Sequence, residues 1–164
     1  AGGGADLVYG GQGDNVIRGE AGADELHGNE GQDTLRGGAG SDLLDGGLAA
    51  DVLIGGAGED SFRFSTELGD GNIDRIRDFD LADDLILLAR DVFEGISELG
   101  ELAFGAFRSS PDGAARDADD RILYDRNDGF LSFDADGAGQ NEAIRFARLD
   151  SGLNLSAEDF YIVG

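Results

Sequence analysis

Gly37-Gly38-Ala39-Gly40-Ser41-Asp42-Leu43-Leu44-Asp45 is one of seven consecutive nine-residue units that fill residues 1–63 without a break in register. The sixth position reads Asp6, Asn15, Asp24, Asp33, Asp42, Asp51 and Asp60, and the eighth reads Val8, Ile17, Leu26, Leu35, Leu44, Leu53 and Phe62. Glycine holds the second and fourth positions in most units, as at Gly11 and Gly13 or Gly56 and Gly58. With 18 glycines in these 63 residues, composition alone would suit a disordered linker. Disorder, however, does not require an apolar residue at every ninth position.

Three residues around the apolar position suffice for a short strand whose middle side chain faces one way. The other six must turn, and glycine supplies the positive φ that tight turns need while letting carbonyls converge. Two units therefore make one coil of 18 residues. Stacked coils place Val8, Leu26, Leu44 and Phe62 in one parallel sheet and Ile17, Leu35 and Leu53 in the other, with a thin apolar core between them.

Stacking has an electrostatic cost. Adjacent coils lie about 4.8 Å apart, so Asp24 comes beside Asp42 and Asp42 beside Asp60. Two full charges at that separation repel by roughly 3.5 kcal/mol at an effective dielectric of 20, whereas burying a Val or Leu is worth only about 1.5–3 kcal/mol. A hard divalent cation between turns converts the repulsion to attraction. Carboxylates with convergent carbonyls, and no His or Cys in the turns, suit calcium better than zinc or copper.

The repeat resembles the RTX, or hemolysin-type, calcium-binding nonapeptide. The resemblance implies one ion between unit n and unit n+2, held by carbonyls of positions 2 and 4 and the Asp of the first, and carbonyls of positions 1 and 3 and the Asp of the second. One ion would then use Gly2, Gly4 and Asp6 with Gly19, Ala21 and Asp24, and the next Glu20, Gly22 and Asp24 with Gly37, Ala39 and Asp42. A third would use Gly38, Gly40 and Asp42 with Gly55, Ala57 and Asp60. On the other edge Asn29, Gly31 and Asp33 would face Gly46, Leu48 and Asp51, and Gly11, Gly13 and Asn15 would face Gly28, Glu30 and Asp33. That makes about five ions, the last pair lacking the charge of an Asp at Asn15. Gly47 and Ala49, the second and fourth positions of unit six, complete the candidate set. Glu20, Asn29 and the Leu48-Ala49 turn depart from the pattern and are expected to weaken individual sites without breaking the roll.

Charge agrees with a metal partner. The 164 residues carry a formal charge of −23 and contain no Cys, Met, Trp or Lys. That excess of acids argues against nucleic acid or an anionic membrane as partner and for cations. The repeats hold 12 acids and 3 arginines, so five calcium ions would roughly neutralise them. Absence of Cys removes disulfides as staples but is compatible with export in an unfolded state. No apolar run reaches the 18 or so residues of a membrane span, and no N-terminal signal is present. The chain begins inside a repeat without an initiator Met, and is expected to be the C-terminal piece of something longer.

Residues 1–63 are thus expected as the roll and 64–164 as a β-rich capping region. In the latter, Leu85-Ile86-Leu87-Leu88 reads as a buried strand and Arg90 to Leu99 as a short helical stretch. Arg121–Asp125, Phe130–Asp134 and Ala143–Leu149 read as strands of an antiparallel meander, packed on the end of the roll to cap its edges. The fold class expected is all-β: a right-handed parallel β-roll with a C-terminal antiparallel β cap. Asp134-Ala135-Asp136-Gly137-Ala138-Gly139, followed by Glu142, faintly resembles an EF-hand loop, but its acid spacing fits a hairpin turn better.

Ser61-Phe62-Arg63-Phe64-Ser65, then Asn72 to Phe79, then Asp83 to Leu87, is similar to the segment that follows the last nonapeptide in serralysin-type secreted proteins. That likeness implies Asp74 and Asp78 as candidates for a terminal calcium site; capping turns while remaining solvated is the alternative. Ala157-Glu158-Asp159-Phe160-Tyr161-Ile162-Val163-Gly164 is similar to the uncleaved signal read by type I secretion machinery, and an ordinary last strand is the alternative.

Catalytic constellations are missing. His27 is the one histidine, expected as an exposed strand residue, so no His-Glu-x-x-His zinc helix can form. No nucleophile elbow or lysine-bearing phosphate loop is present. The function expected is a secreted, extracellular calcium-binding module, disordered without calcium, folding outside the cell and carrying the export signal for an upstream passenger domain. The alternative is a polysaccharide- or cell-surface-binding module, weakly supported because Arg18, Arg36 and Arg63 are read as lying on alternating sheets.

Overall fold

The structure is a computed structural model describing residues 2–69, 71–96 and 98–164. The strands are β1 (Gly2–Gly3), β2 (Leu7–Gln12), β3 (Val16–Ala21), β4 (Glu25–Glu30), β5 (Thr34–Ala39), β6 (Leu43–Leu48), β7 (Val52–Ala57) and β8 (Ser61–Phe64) within the repeats. Beyond them come β9 (Asp74–Ile76), β10 (Leu85–Ala89), β11 (Gly100–Glu101), β12 (Phe107–Ser110), β13 (Ile122–Asp125), β14 (Phe130–Phe133), β15 (Ile144–Arg148) and β16 (Phe160–Val163). Single 3-10 turns at Phe104–Ala106 and Ala157–Asp159 are the helical elements among the described residues.

Odd and even units segregate as the 18-residue coil requires. One sheet runs β1-β3-β5-β7-β9-β15-β14-β13-β12 and the other β11-β16-β10-β8-β6-β4-β2. Within the repeats every pairing is parallel and offset by 18 residues, for example Val8 beside Leu26 and Ile17 beside Leu35. The eighth-position side chains Leu26, Leu35, Leu44, Leu53 and Phe62 are fully buried between the sheets, Ile17 is buried, and Val8 at the first coil is only half-buried. β2 to β7 are longer than three residues, running six residues into the glycines of the next unit. Identical coils in register let the inter-coil hydrogen bonds continue through the bend, so the tight turn shrinks to positions 4–6.

Beyond residue 63 both sheets continue. β9 pairs parallel with β7, and β10 pairs parallel with β8. The meander exists as expected, with β13, β14 and β15 antiparallel, but it extends the sheet in its own plane through β15 beside β9. Its inner face, with Phe133 and Phe146, packs edge-on around Phe93 and Phe64. β10 is a buried strand through Ile86 and Leu88, with Leu85 facing out.

Two expectations are corrected. Arg90 to Leu99 is not helical among its described residues; a single turn closed by Ala89 accepting from the Phe93 N–H ends at Gly95, whose φ is 98°. Ser97 lies outside the described residues. His27 is not exposed: its side chain stacks on Tyr9 at 4.8 Å and meets the Glu25 carboxylate at 2.9 Å.

Candidate metal centres

Each repeat turn is built from a carboxylate that reaches back one coil. Oδ1 of Asp24 accepts from the Asp6 N–H at 2.8 Å, Asp42 from Asp24 at 2.8 Å and Asp60 from Asp42 at 3.0 Å. On the other edge Asp33 accepts from Asn15 at 2.7 Å and Asp51 from Asp33 at 2.7 Å. The acids therefore stand in two columns, buried to within 2 % of full in the repeats from Asp24 onward.

Only half of each carboxylate is accounted for. Oδ2 of Asp24, Asp33, Asp42 and Asp51 is buried with no hydrogen-bond partner, and a buried unsatisfied carboxylate oxygen costs more than a neutral group would. These oxygens lie against the first-position glycines of their own units: a Cβ at Gly19, Gly28, Gly37 or Gly46 would collide with them. The carbonyl of Gly37 crowds the same point beside Gly19, as those of Gly46 and Gly55 do beside Gly28 and Gly37. First-position glycine is thus a matter of space, a role separate from backbone conformation.

Conformation is the issue at positions 2 and 4. Gly38 (φ 123°) and Gly40 (φ 130°) lie directly over the carbonyls of Glu20 and Gly22, which point into the inter-coil gap. The three departures from glycine adopt the same left-handed backbone, Glu20 at 82°, Asn29 at 75° and Ala49 at 85°. As expected from sequence, the roll stays intact there, at a local cost of about 1–2 kcal/mol for each Cβ so placed.

Crowded acids also shift their proton affinities. Burial pushes the Asp51 carboxyl up to about 7 and that of Asp60 to about 6; neighbouring acids add to the rise, and accepted backbone N–H groups partly offset it. Asp42 is raised for the same reasons, and Asp74 well above the carboxylate range by burial and the Asp51 charge. Among the described residues no three His, Cys, Asp or Glu side chains are placed to share one metal ion. A cation between coils would therefore draw on two carboxylates and on carbonyl oxygens. An all-oxygen set with orphaned buried carboxylate atoms fits calcium, which takes six to eight such ligands.

The columns outlast the repeats. Oδ1 of Asp74 accepts from the Asp51 N–H at 3.0 Å, standing where a further repeat Asp would stand. Asp84, which sequence reasoning missed, does the same for Asp60 at 3.0 Å, and its Oδ2 accepts from the Asp80 N–H at 2.8 Å. The signal was available: Asp74-Arg75-Ile76 and Asp84-Leu85-Ile86 repeat the Asp-x-apolar triplet after the glycine phase is lost. Asp78 is outside the columns, its two oxygens accepting from Gly55 and Gly56 at 3.0 Å each. Asn15 also differs, since its side-chain amide donates to the Gly13 carbonyl.

The Asp134–Gly139 loop is a turn in which the Asp136 carboxylate accepts from Gln140 and Asn141. Ala157–Gly164 folds as a capped 3-10 turn followed by β16. Ser156 and Asp159 make reciprocal cap bonds there, and the strand sits between β10 and β11.

Residues 1–35 and 27–62 match the family model of the RTX calcium-binding nonapeptide repeat (four copies). The repeat segment is therefore an array of RTX calcium-binding nonapeptides, the class its turns and acid columns define. Among solved structures, the chain is similar to the AlgE6R3 subunit of the Azotobacter vinelandii mannuronan C5-epimerase, at 28% identity over 96% of this chain and 77% of that one, with a TM-score of 0.32. It is similar also to the AlgE6R2 subunit of the A. vinelandii mannuronan C5-epimerase, at 26% identity over 95% and 89%, with a TM-score of 0.35. No curated protein matches the chain. No helix among the described residues is long and apolar enough to cross a membrane.

Proposed function

We propose that this chain is a calcium-switched folding module of a secreted bacterial protein, non-catalytic itself, carrying at its end the type I secretion signal for an upstream passenger. The observation that supports it best is the row of buried, unpartnered Oδ2 atoms on Asp24, Asp33, Asp42 and Asp51. Without a cation the two columns pair like charges with little core to offset them; with one, each ion joins a coil to the next.

The ligands assigned are the second-, fourth- and sixth-position groups of one unit with the first-, third- and sixth-position groups of the unit two further on. Four ions sit at full-charge pairs, and the fifth, at Asn15, is the weakest. Asp74 extends one column beyond the repeats and so offers Gly47, Ala49 and Asp51 a partner. Asp78 is a latch on backbone N–H groups instead of a ligand. Cytosolic calcium is too scarce to fold such sites if their affinity lies near the 10⁻⁴–10⁻³ M of extracellular modules, so the chain would leave the cell unfolded, with residues 157–164 readable. Outside, the same residues fold into β16.

The test is a calcium titration of the chelator-treated chain followed by far-UV circular dichroism, with magnesium as control. A cooperative coil-to-β transition near millimolar calcium and none with magnesium is the expected result. A chain already folded in chelator would remove the switch.

A further inference from the structure

Arg63 is set apart from the other arginines of the repeats. Arg18 and Arg36 lie side by side on adjacent strands of one sheet, which corrects the expectation that they fall on different sheets, and Arg63 stands on the other sheet beside Asp45. Its side chain is a third exposed, yet its Nε is buried and has no hydrogen-bond partner among the described residues. Oδ2 of Asp45 is 3.9 Å from that nitrogen, too far for a hydrogen bond, and accepts instead from the Ser65 hydroxyl at 2.7 Å.

The chain leaving β8 has lost the repeat turn and is pinned by its own side chains. The Thr66 hydroxyl donates to the Gly47 carbonyl at 2.6 Å, and the Asn72 amide nitrogen donates to Thr66 Oγ1 at 3.2 Å and to the Glu67 carbonyl at 2.7 Å. A carbonyl can only accept, so the Glu67 contact fixes which way the Asn72 amide points. Both of its donor hydrogens are engaged, and its Oδ1 is buried with no partner among the described residues. Arg63, Thr66 and Asn72 line a largely enclosed cavity of about 10 Å³, with Asp45, Asp74 and Phe146 on the same wall.

We infer that this cavity is a binding site for one water molecule, which accepts from the Arg63 Nε–H and donates to Asn72 Oδ1, and that the bridge positions Asp74 in its column. The volume is about what a single buried water requires, and such a water needs two to four polar partners. The chemistry of the two unpartnered atoms chooses the ligand. In the gaps between coils the unpartnered buried atoms are all carboxylate oxygens, those of Asp24, Asp33, Asp42 and Asp51, a set that calls for a cation. In this cavity one is a donor and the other an acceptor, so the ligand must do both, and the guanidinium charge repels a metal ion from the same spot. Asn72 lies two residues before Asp74, whose Oδ1 accepts from the Asp51 N–H at 3.0 Å. Tying Asn72 to Arg63 therefore joins the end of β8 to the start of β9, where no glycine turn does so. The inference goes beyond the calcium reading and needs only the folded chain.

The experiment is nuclear magnetic resonance of the full chain, under conditions where circular dichroism first shows the β-fold, reading the Arg63 Nε–H. The expected result is a cross-peak from that proton to a long-lived water, and exchange with solvent about tenfold or more slower than for the exposed Arg36 and Arg75. Asn72→Leu removes the acceptor, and Arg63→Lys keeps the charge while removing the Nε donor. In both, the Asp51 amide should exchange about threefold or more faster as Asp74 loses its position, while the Asp24 amide, bonded to Asp42, keeps its rate. In Asn72→Leu the water cross-peak should also vanish. An Arg63 Nε–H that exchanges as fast as those of Arg36 and Arg75, absence of the water cross-peak, or unchanged Asp51 exchange in both folded variants would each overturn the inference. Should a variant lose its dichroism, the cross-peak and exchange rate of the unaltered chain decide. A chain that shows these signals in chelator would keep the water site and remove the calcium switch, so the two readings fail separately.

Discussion

At the residue scale, the turns separate two demands that both select glycine. Gly37 has no room for a Cβ, whereas Gly38 and Gly40 need positive φ as well as room. Ala49 tests the second demand alone. Ala49→Gly should raise stability by up to about 1 kcal/mol, because relief of the left-handed strain exceeds the entropy glycine adds to the unfolded chain; denaturant melts in saturating calcium would measure it. Asn15→Asp should strengthen the weakest calcium site by replacing the amide that bonds Gly13 with a charged ligand. Calorimetry should then show one more high-affinity ion per chain, and an unchanged stoichiometry would refute the assignment. The phase of the repeat made these positions legible from sequence. It hid the reason for first-position glycine, which depends on where Asp24 or Asp42, five residues on in the same unit, puts its second oxygen.

At the element scale, parallel pairing at an offset of 18 was readable because the apolar residue and the acid share one period. The period fails after Phe62, but the pairing does not: the offset stretches to 23 between Asp51 and Asp74 and to 24 between Asp60 and Asp84. Loops of different length restore the same hydrogen bond, so a fixed-period reading overlooked Asp84. Asp84→Asn should cost about 1–3 kcal/mol, since an amide oxygen cannot replace both carboxylate acceptors for Asp60 and Asp80. Hydrogen exchange would show faster exchange of those two amides and of Leu85, with the Asp6 amide at the far coil unaffected. His27 and the Arg90–Leu99 turn were misread because neighbours decide them: Tyr9 on the next strand covers the imidazole, and Gly95 cuts short a stretch whose composition favours helix.

For the whole molecule, charge sets the response to pH. Asp51, Asp60, Asp42 and Asp74 all hold a proton more tightly folded than unfolded, with burial the first cause. In chelator the folded state should therefore gain stability as pH falls from about 7 towards 4 and lose it as pH rises through 6 to 7. Calcium competes with those protons, so the calcium midpoint should climb as pH falls. The residual β-signal in chelator should be greater at pH 5 than at pH 8, whereas dichroism melts in calcium should be higher at pH 8; parallel trends would contradict the assignment of these acids to the metal. The two ends of the roll are also unlike. At the last coils β9 and β10 cover the edges, and Asp84 accepts on both oxygens. At the first coil Val8 is half-buried, and no described amide donates to the Asp6 carboxylate. In polymer terms β9 and β10 are chain terminators for the stack: each returns one acid to its column without the glycine turn that would template another coil.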